Sequence, residues 1–114
     1  MTRYGLVMPA LDEEEALPLV LAELPRTREP IVVVVDNAST DRTPEVARAG
    51  GAVVVREARR GYGSACQAGI RWLLEGSGLV PPLGEGDVIV FLDADHSDYP
   101  QDLERLLAPL DEAR

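Results

Sequence analysis

The chain has 114 residues, enough for one domain with a modest core. Hydrophobic residues make up 46% and charged residues 27%, and the net charge of −9 argues against nonspecific nucleic-acid binding, which needs a basic surface. The single cysteine, Cys66, excludes a disulfide framework and a cysteine-rich zinc site. The N-terminus lacks a signal-peptide pattern and no apolar run approaches the roughly 20 residues of a membrane helix. We therefore expect a cytoplasmic protein.

The first half of the chain alternates strand and helix signals. Residues 4–9 form a short apolar strand, and Asp12 and Glu15 then fit a capping box for a helix that Pro18 either kinks or begins. Residues 31–35 are all β-branched and give the strongest strand signal. After the polar segment 36–41, Thr43 is the expected N-cap of a short helix with proline at its first position.

The second half continues the alternation. A strand over 52–55 and a polar loop over 56–63 precede a helix over about 64–74, and a breaker-rich loop over 76–86 follows it. The apolar run 88–92 is typical of a strand buried on both faces of a parallel sheet, and a last helix begins at Pro100. The expected packed face of the first of these helices consists of Ala65, Ala68, Gly69, Trp72 and Leu73. The β-α-β-α-β-α-β-α order predicts an α/β fold with helices on both faces of a parallel sheet.

Polar residues follow three strands at the edge where open α/β folds bind ligands. Asp93 and Asp95 come directly after the apolar run, and alternation places them on one side of the chain with Ala94 opposite. Two such carboxylates suit one hard divalent cation. Taken singly, each polar cluster has an ordinary structural explanation: helix-dipole complementation at 12–15, and turn or capping roles for Asp36 and Asp41. Their convergence at one edge favours a site.

Other signatures of nucleotide binding or catalysis are absent from the sequence. It has no phosphate-binding loop of the G-x-x-x-x-G-K-[ST] type and no complete dinucleotide fingerprint. His96 alone is weak evidence for a metal ligand, and Cys66 is expected to be packed in a helix rather than to act as a nucleophile.

Four motifs carry a resemblance to a known family. They are MPALDEEEAL, VVVVDNASTD, ARRGYGSACQAGI and VIVFLDADHSDYP. In this order and spacing they resemble the family 2 glycosyltransferases of the GT-A fold, particularly dolichyl- and polyprenyl-phosphate sugar transferases and similar bacterial enzymes. The resemblance implies a Rossmann-like fold in which residues 1–114 form a single, partial nucleotide-sugar-binding domain that stops after the helix following the D-x-D motif.

The same resemblance implies a set of site residues. Asp93 and Asp95 match the D-x-D motif and imply a Mg²⁺ or Mn²⁺ ion, with Asp95 as its main ligand. Asn37 stands where many members have an aspartate that contacts the base, and its amide both donates and accepts hydrogen bonds. The implied nucleotide-binding positions are Pro9, Ala10, Leu11, Glu13, Asp36, Asn37, Arg60, Asp93, Ala94 and Ser97.

The implied reaction is inverting transfer of a sugar from a UDP- or GDP-sugar to an acceptor such as a polyprenyl phosphate or a saccharide. A divalent cation would stabilise charge on the departing diphosphate. A phosphate acceptor is already nucleophilic, whereas a hydroxyl acceptor needs a general base. Family domains continue well past the D-x-D helix, so the acceptor site and any base are expected outside this chain. An acceptor of this kind also allows a peripheral location at the inner face of the membrane.

Three alternatives accompany the transferase hypothesis. The first is a nucleotide-sugar-binding module without turnover. The second is a nucleotidyltransferase, whose glycine-rich loop and following lysine are missing from a chain that contains no lysine. The third is a purely structural domain, for which Asp95→Ala would be neutral toward every ligand. A sheet that stops early leaves an apolar edge, which favours a homo-oligomer.

Overall fold

The computed structural model describes residues 2–75 and 83–112 and confirms the alternating order of strands and helices. The strands are β1 (Tyr4–Ala10), β2 (Ile31–Asp36), β3 (Val53–Arg56) and β4 (Val88–Phe91). The helices are α1 (Leu17–Ala22), α2 (Thr43–Ala49), α3 (Tyr62–Glu75) and α4 (Leu103–Glu112). Short 3₁₀ turns at Arg26–Arg28 and Pro100–Asp102 precede β2 and α4. Most of the loop predicted over 76–86 lies outside the described residues.

The four strands form one parallel sheet in the order β3-β2-β1-β4. The two middle strands are β1 and β2, paired from Gly5 with Ile31 to Ala10 with Asp36, and nearly all of their residues are buried. The expectation that the apolar run 88–92 forms a strand buried on both faces is wrong. In the described part of the chain β4 pairs with β1 alone, so its residues are only half-buried and Phe91 is 41% exposed.

Helices cover both faces of the sheet, as predicted, and create two cores. On one face α1, α2 and α4 pack against alternate residues of β1 and β2; this core includes Leu6, Met8, Leu17, Val20, Leu21, Val34, Ala47, Leu103 and Leu107. On the other face α3 packs against Val7, Ile31, Val33 and Val35, and Leu83 also contacts this core. The expected packed face of α3 is confirmed: Ala65, Ala68, Gly69 and Leu73 are buried and Trp72 contacts the same core.

Both capping predictions are wrong in detail. Asp12 does not cap α1, because the helix begins at Leu17 and Asp12 has a left-handed backbone (φ 53°). Its carboxylate instead accepts a hydrogen bond from the Thr40 N–H at 2.8 Å. Thr43 is the first residue of α2 rather than its N-cap. Pro18 and Pro44 each lie in a first helical turn, where a missing N–H costs nothing.

A buried arginine joins α4 to the opposite, amino-terminal edge of the sheet. The side chain of Arg28, which is 1% exposed, forms paired hydrogen bonds with Glu104 (both 2.8 Å) and with Asp111 (2.9 and 3.0 Å). It also donates to the Thr2 carbonyl at 3.1 Å. The Arg28 guanidinium holds the pKa of Glu104 and of Asp111 below the usual range, and these two carboxylates raise the pKa of Arg28. None of the described helices is long and apolar enough to cross a membrane.

Candidate functional site

The loops at the carboxyl edge of the sheet share an unusual backbone feature. Asp12 after β1, Ala38 after β2 and His96 after β4 have positive φ values of 53°, 70° and 63°, and Gly61 after β3 has 126°. Left-handed backbone at residues other than glycine is disfavoured by roughly 1–3 kcal/mol each and is concentrated at binding sites. Among the described residues, the other non-glycine example is Glu29, which lies just before β2 at the opposite edge. Three of the four described non-glycine residues with positive φ thus lie at the carboxyl edge.

The loops after β1 and β2 are locked together by hydrogen bonds between side chains and backbone. The Asp12 N–H donates to Ser39 Oγ at 3.0 Å, and the Glu13 N–H donates to Thr43 Oγ1 at 2.8 Å. The Thr43 hydroxyl in turn donates to Asp41 Oδ1 at 2.5 Å. These bonds fix the path of the chain past both strand ends.

Asp36 and Asp41 both perform the turn roles that the sequence offered as an alternative. Asp36 is buried and accepts from the Ser39 N–H at 3.0 Å, while Asp41 accepts from the Thr43 N–H at 2.9 Å. Partial burial alone would raise the pKa of Asp41, but hydrogen bonds from Thr43 and from the Glu14 N–H together hold that pKa below its usual value. Asp41 therefore belongs to the scaffold of the edge.

A cavity of about 280 Å³ opens between the end of β1 and the start of α3. It is lined mainly by apolar atoms, and its lining residues are Pro9, Ala10, Leu11, Asn37, Arg60, Gly61 and Tyr62. The structure thus brings five of the predicted nucleotide-binding residues into one place. Sequence reasoning missed Tyr62, which is 59% exposed at the cavity. The signal available for it was an aromatic residue between two glycines where a polar loop meets a helix.

The D-x-D segment follows β4 on an exposed loop. Asp93 and Asp95 are exposed and Ala94 is buried, in agreement with the predicted alternation. Asp95 Oδ1 accepts the Ser97 N–H at 3.0 Å, and hydrogen bonding from Ser97 lowers the pKa of Asp95. Asp95 is therefore ionised at neutral pH. His96 Nε2 lies 2.6 Å from Glu23 Oε2 and connects this loop to the end of α1.

The parallel pairing of β1 with β4 brings the ends of these two strands side by side, so the cavity and the D-x-D segment lie at neighbouring positions. The pKa of Glu13 is raised, first by burial and then by the negative charges of Asp95, Asp41 and Asp12. The pKa of Tyr62 is raised by burial, by a hydrogen bond with Cys66 and by the charge of Asp93. The apolar cavity and the carboxylate pair are thus neighbours at one edge.

The carboxylate pair fits a hard cation that brings other ligands with it. Both groups offer exposed oxygen atoms, and Asp95 is held ionised. Within residues 2–75 and 83–112, no group of three or more His, Cys, Asp or Glu side chains is placed to hold a metal ion. Mg²⁺ commonly binds through one or two carboxylates plus water and substrate phosphates, so this donor set fits a metal–diphosphate complex.

Comparisons with known proteins identify the relatives of this chain. The chain is 43% identical over 106 residues to an uncharacterized glycosyltransferase of Mycobacterium bovis, covering 93% of this chain and 43% of the relative. It is 39% identical over 112 residues to the undecaprenyl-phosphate mannosyltransferase of Micrococcus luteus, with 92% and 43% covered. The chain therefore spans less than half the length of these relatives.

A solved structure gives the same result at the level of the fold. Glucosyl-3-phosphoglycerate synthase of Mycobacterium tuberculosis, in complex with Mn²⁺, UDP-glucose and phosphoglyceric acid, superposes with a TM-score of 0.68 at 30% identity. The match covers 96% of this chain and 39% of the synthase, and it confirms the expected GT-A type of fold. The model of glycosyl transferase family 2 matches residues 6–114. The chain therefore belongs to glycosyl transferase family 2.

Proposed function

We propose that residues 1–114 form the donor-binding domain of a metal-dependent glycosyltransferase that takes its sugar from a nucleoside-diphosphate sugar and releases the nucleoside diphosphate. The observation that carries this proposal is the position of the 280 Å³ cavity at the end of β1, beside the end of the paired strand β4, which Asp93 and Asp95 follow. Membership of the family and the UDP-glucose and Mn²⁺ bound by the similar synthase support it.

Each wall of the cavity has a proposed role. Residues 9–11 at the end of β1 and Tyr62 at the start of α3 offer apolar and aromatic surface to a nucleoside, whereas Asp36 and Ala94 are buried and do not line the cavity. Arg60 offers an exposed guanidinium, which suits a diphosphate. A local cation is needed here because the chain has a net charge of −9.

Asp93 and Asp95 would hold Mg²⁺ or Mn²⁺, with Ser97 fixing Asp95 in place. When bound, the ion neutralises charge on the diphosphate leaving group. Glu13 lies within the field of Asp95 and adds negative charge at the same point.

A polyprenyl phosphate is the acceptor that we propose. The Micrococcus luteus relative is named for undecaprenyl phosphate, and a phosphate oxygen needs no general base to act as a nucleophile. The phosphoglyceric acid bound by the similar synthase represents the other acceptor class, in which a hydroxyl would need a base. We place the acceptor site in sequence beyond the donor half, because the chain spans less than half of its relatives.

We also propose that the chain forms a homo-oligomer. Phe91, Tyr99 and Leu106 are 41%, 70% and 67% exposed around a cavity of about 420 Å³ beside β4. In the described part of the chain this is the unpaired side of an edge strand, a feature that favours association. The self-association predicted from the sequence stays a prediction.

Calorimetric titration tests the donor site directly. UDP and GDP would be titrated with and without Mn²⁺ into the wild type, Asp95→Ala and the control Asp98→Ala, which removes an equal charge from the same loop. We expect one nucleotide to bind in the presence of Mn²⁺, and Asp95→Ala to weaken it at least about tenfold, roughly 1.4 kcal/mol. Equal affinity in Asp95→Ala and Asp98→Ala would contradict the proposed metal site.

A turnover assay separates the transferase from the binding module. The wild type would be given the bound nucleotide's sugar conjugate, Mn²⁺ and undecaprenyl phosphate, and lipid-linked sugar would be measured. Product formation supports a transferase that works through this chain alone. Metal-dependent binding without product identifies a donor-binding module, and no binding at millimolar nucleotide rejects the donor site in this chain.

A further inference from the structure

Asn37 lies at the floor of the cavity, at the end of β2, and is 8% exposed. Its backbone N–H donates to the Ala10 carbonyl at 2.9 Å, which ties it to the β1 wall. Its side-chain amide donates to the carbonyls of Glu57 at 2.9 Å and Arg59 at 2.8 Å, and its Oδ1 accepts the Gly61 N–H at 3.0 Å. One side chain therefore joins the two walls of the cavity.

The chemistry of these partners allows a single orientation of the amide. A flipped group would place Oδ1 against two carbonyl oxygens and Nδ2 against the Gly61 N–H. In the observed orientation both N–H donors are used within the protein. To accept a hydrogen bond from the Asn37 amide, a nucleobase would have to replace the Glu57 or Arg59 carbonyl as acceptor. A buried carbonyl that loses its hydrogen-bond donor is energetically costly.

Asn37 contacts three residues of loop 57–61, and within the loop the Arg59 N–H also donates to Glu57 Oε2 at 2.9 Å. Its Glu57 N–H continues the pairing with the Asp36 carbonyl at 3.0 Å, but beyond that point the chain turns away from the sheet through Gly61, whose φ is 126°. The loop carries Arg60 to the cavity and leads directly into Tyr62. The position of that wall is thus set through the Asn37 amide.

We propose that Asn37 is a positioning residue that clamps loop 57–61 and so shapes the nucleotide cavity, and that it does not read the base through its amide N–H groups. This inference rests on the proposed donor site for its ligand, but the clamp itself is independent of any nucleotide. It differs from the expectation that the Asn37 amide pairs with a base edge. Only the second lone pair of Asn37 Oδ1 is then left for a contact with a base.

Asn37→Asp is the sharpest variant because it keeps the shape and removes both N–H donors. We expect hydrogen exchange of the Gly61 amide, measured by NMR without nucleotide, to accelerate at least about tenfold, since a carboxylate facing two carbonyls is repelled. Affinities for UDP and CDP with Mn²⁺ are expected to fall by a common factor, so that their ratio changes less than about twofold. Asn37→Ala, which removes the clamp without repulsion, gives the same test if Asn37→Asp does not fold.

The control is Leu107→Ala, which opens a space in the core on the face of the sheet opposite α3 and leaves the clamp intact. It separates loss of the clamp from general destabilisation, because the Gly61 exchange rate should stay within about twofold of wild type. Unchanged exchange in both Asn37 variants overturns the proposal, as does faster exchange with unchanged nucleotide affinity. Selective loss of UDP over CDP in Asn37→Asp also overturns it, since this variant keeps an oxygen acceptor and the loss would assign base reading to the amide N–H groups. If the wild type binds no nucleotide, the donor site fails while the exchange data still decide the clamp.

Discussion

Negative charge is distributed unequally among the single residues of the carboxyl edge. Hydrogen bonds hold Asp41 and Asp95 in their ionised forms, whereas Glu13 is disfavoured as an anion by burial and by the charges of these two neighbours. An arrangement in which like charges face one another is unfavourable in the free protein. It becomes favourable when a cation enters, which is the pattern expected of a metal–diphosphate site.

Glu13→Gln tests this distribution of charge. Folding raises the pKa of Glu13, so the folded protein favours the protonated side chain. The stability that this contributes is fully present below the ordinary glutamate pKa of about 4.3, and it is lost as the pH rises through the raised pKa. The neutral glutamine avoids this loss, so we expect the variant to unfold at higher urea concentration than wild type at pH 7. The difference should close as the pH approaches 4.

The control for that experiment is Glu15→Gln, an exposed glutamate in the same segment. Equal stability of wild type and Glu13→Gln at pH 7 would show that burial and the neighbouring carboxylates do not destabilise ionised Glu13. The same urea unfolding with Mn²⁺ and UDP present is a second measurement. A bound cation should reduce the difference in stability between Glu13→Gln and the wild type.

At the scale of elements, the close approach of α3 to the sheet depends on one glycine. A Cβ on Gly69 would lie 2.5 Å from Val7 Cγ1 and 3.2 Å from Val35 Cγ2, both on buried strands. A real Cβ does not come this close, so α3 would have to move away from β1 and β2. Since Tyr62 lies at the start of the same helix, this packing also positions one wall of the cavity.

We expect Gly69→Ala to destabilise the protein by about 1–3 kcal/mol through overpacking. Gly63→Ala on the same helix is the matched comparison, because a Cβ there meets no heavy atom within 4 Å. Alanine is the better helix former, so that variant should gain up to about 1 kcal/mol. Urea unfolding of both variants provides the measurement, and a stable Gly69→Ala would mean that α3 packs less closely than described.

The order of elements could be predicted because it depends on local pattern. The five β-branched residues 31–35 form the buried strand β2, and the small residues Ala65, Ala68 and Gly69 mark the packed face of α3. Strand order is not a local property. The apolar run 88–92 therefore predicts a strand buried on both faces, although β4 lies at an edge of the described sheet. The prediction that Asp12 caps α1 fails for the same reason, since its hydrogen-bond partner Thr40 lies 28 residues away.

The candidate site, like the fold, is predictable from the sequence only in part. The strand ends and the D-x-D motif were visible in the sequence, and the structure brings Pro9, Leu11 and Arg60 into one cavity. The role of Asn37 was not visible, because its three side-chain partners belong to a loop 20–24 residues further along the chain.

At the scale of the whole molecule, the charged cluster around Arg28 closes the fold. Arg28 and Asp111 are 83 residues apart, and the arginine connects the entry to β2 with both ends of α4 and with the N-terminal segment at Thr2. The sequence contains no periodic pattern that predicts this contact between Arg28 and α4. It lies at the edge opposite the site, so it affects stability without touching the cavity.

Acid titration of stability tests whether this cluster holds α4 in place. The pKa values of Glu104 and Asp111 are lowered by hydrogen bonds from Arg28, so their contribution is complete above the ordinary carboxyl value of about 4 and is lost as the pH falls below it. We expect Arg28→Met to be less stable than wild type at pH 7 and to show a shallower loss of stability from pH 4 downward, because its carboxylates no longer have a partner. Arg105→Met, which removes an exposed arginine from α4, should keep the wild-type slope. Parallel acid profiles for wild type and Arg28→Met would show instead that apolar packing of Leu103 and Leu107 is what holds α4 on the sheet.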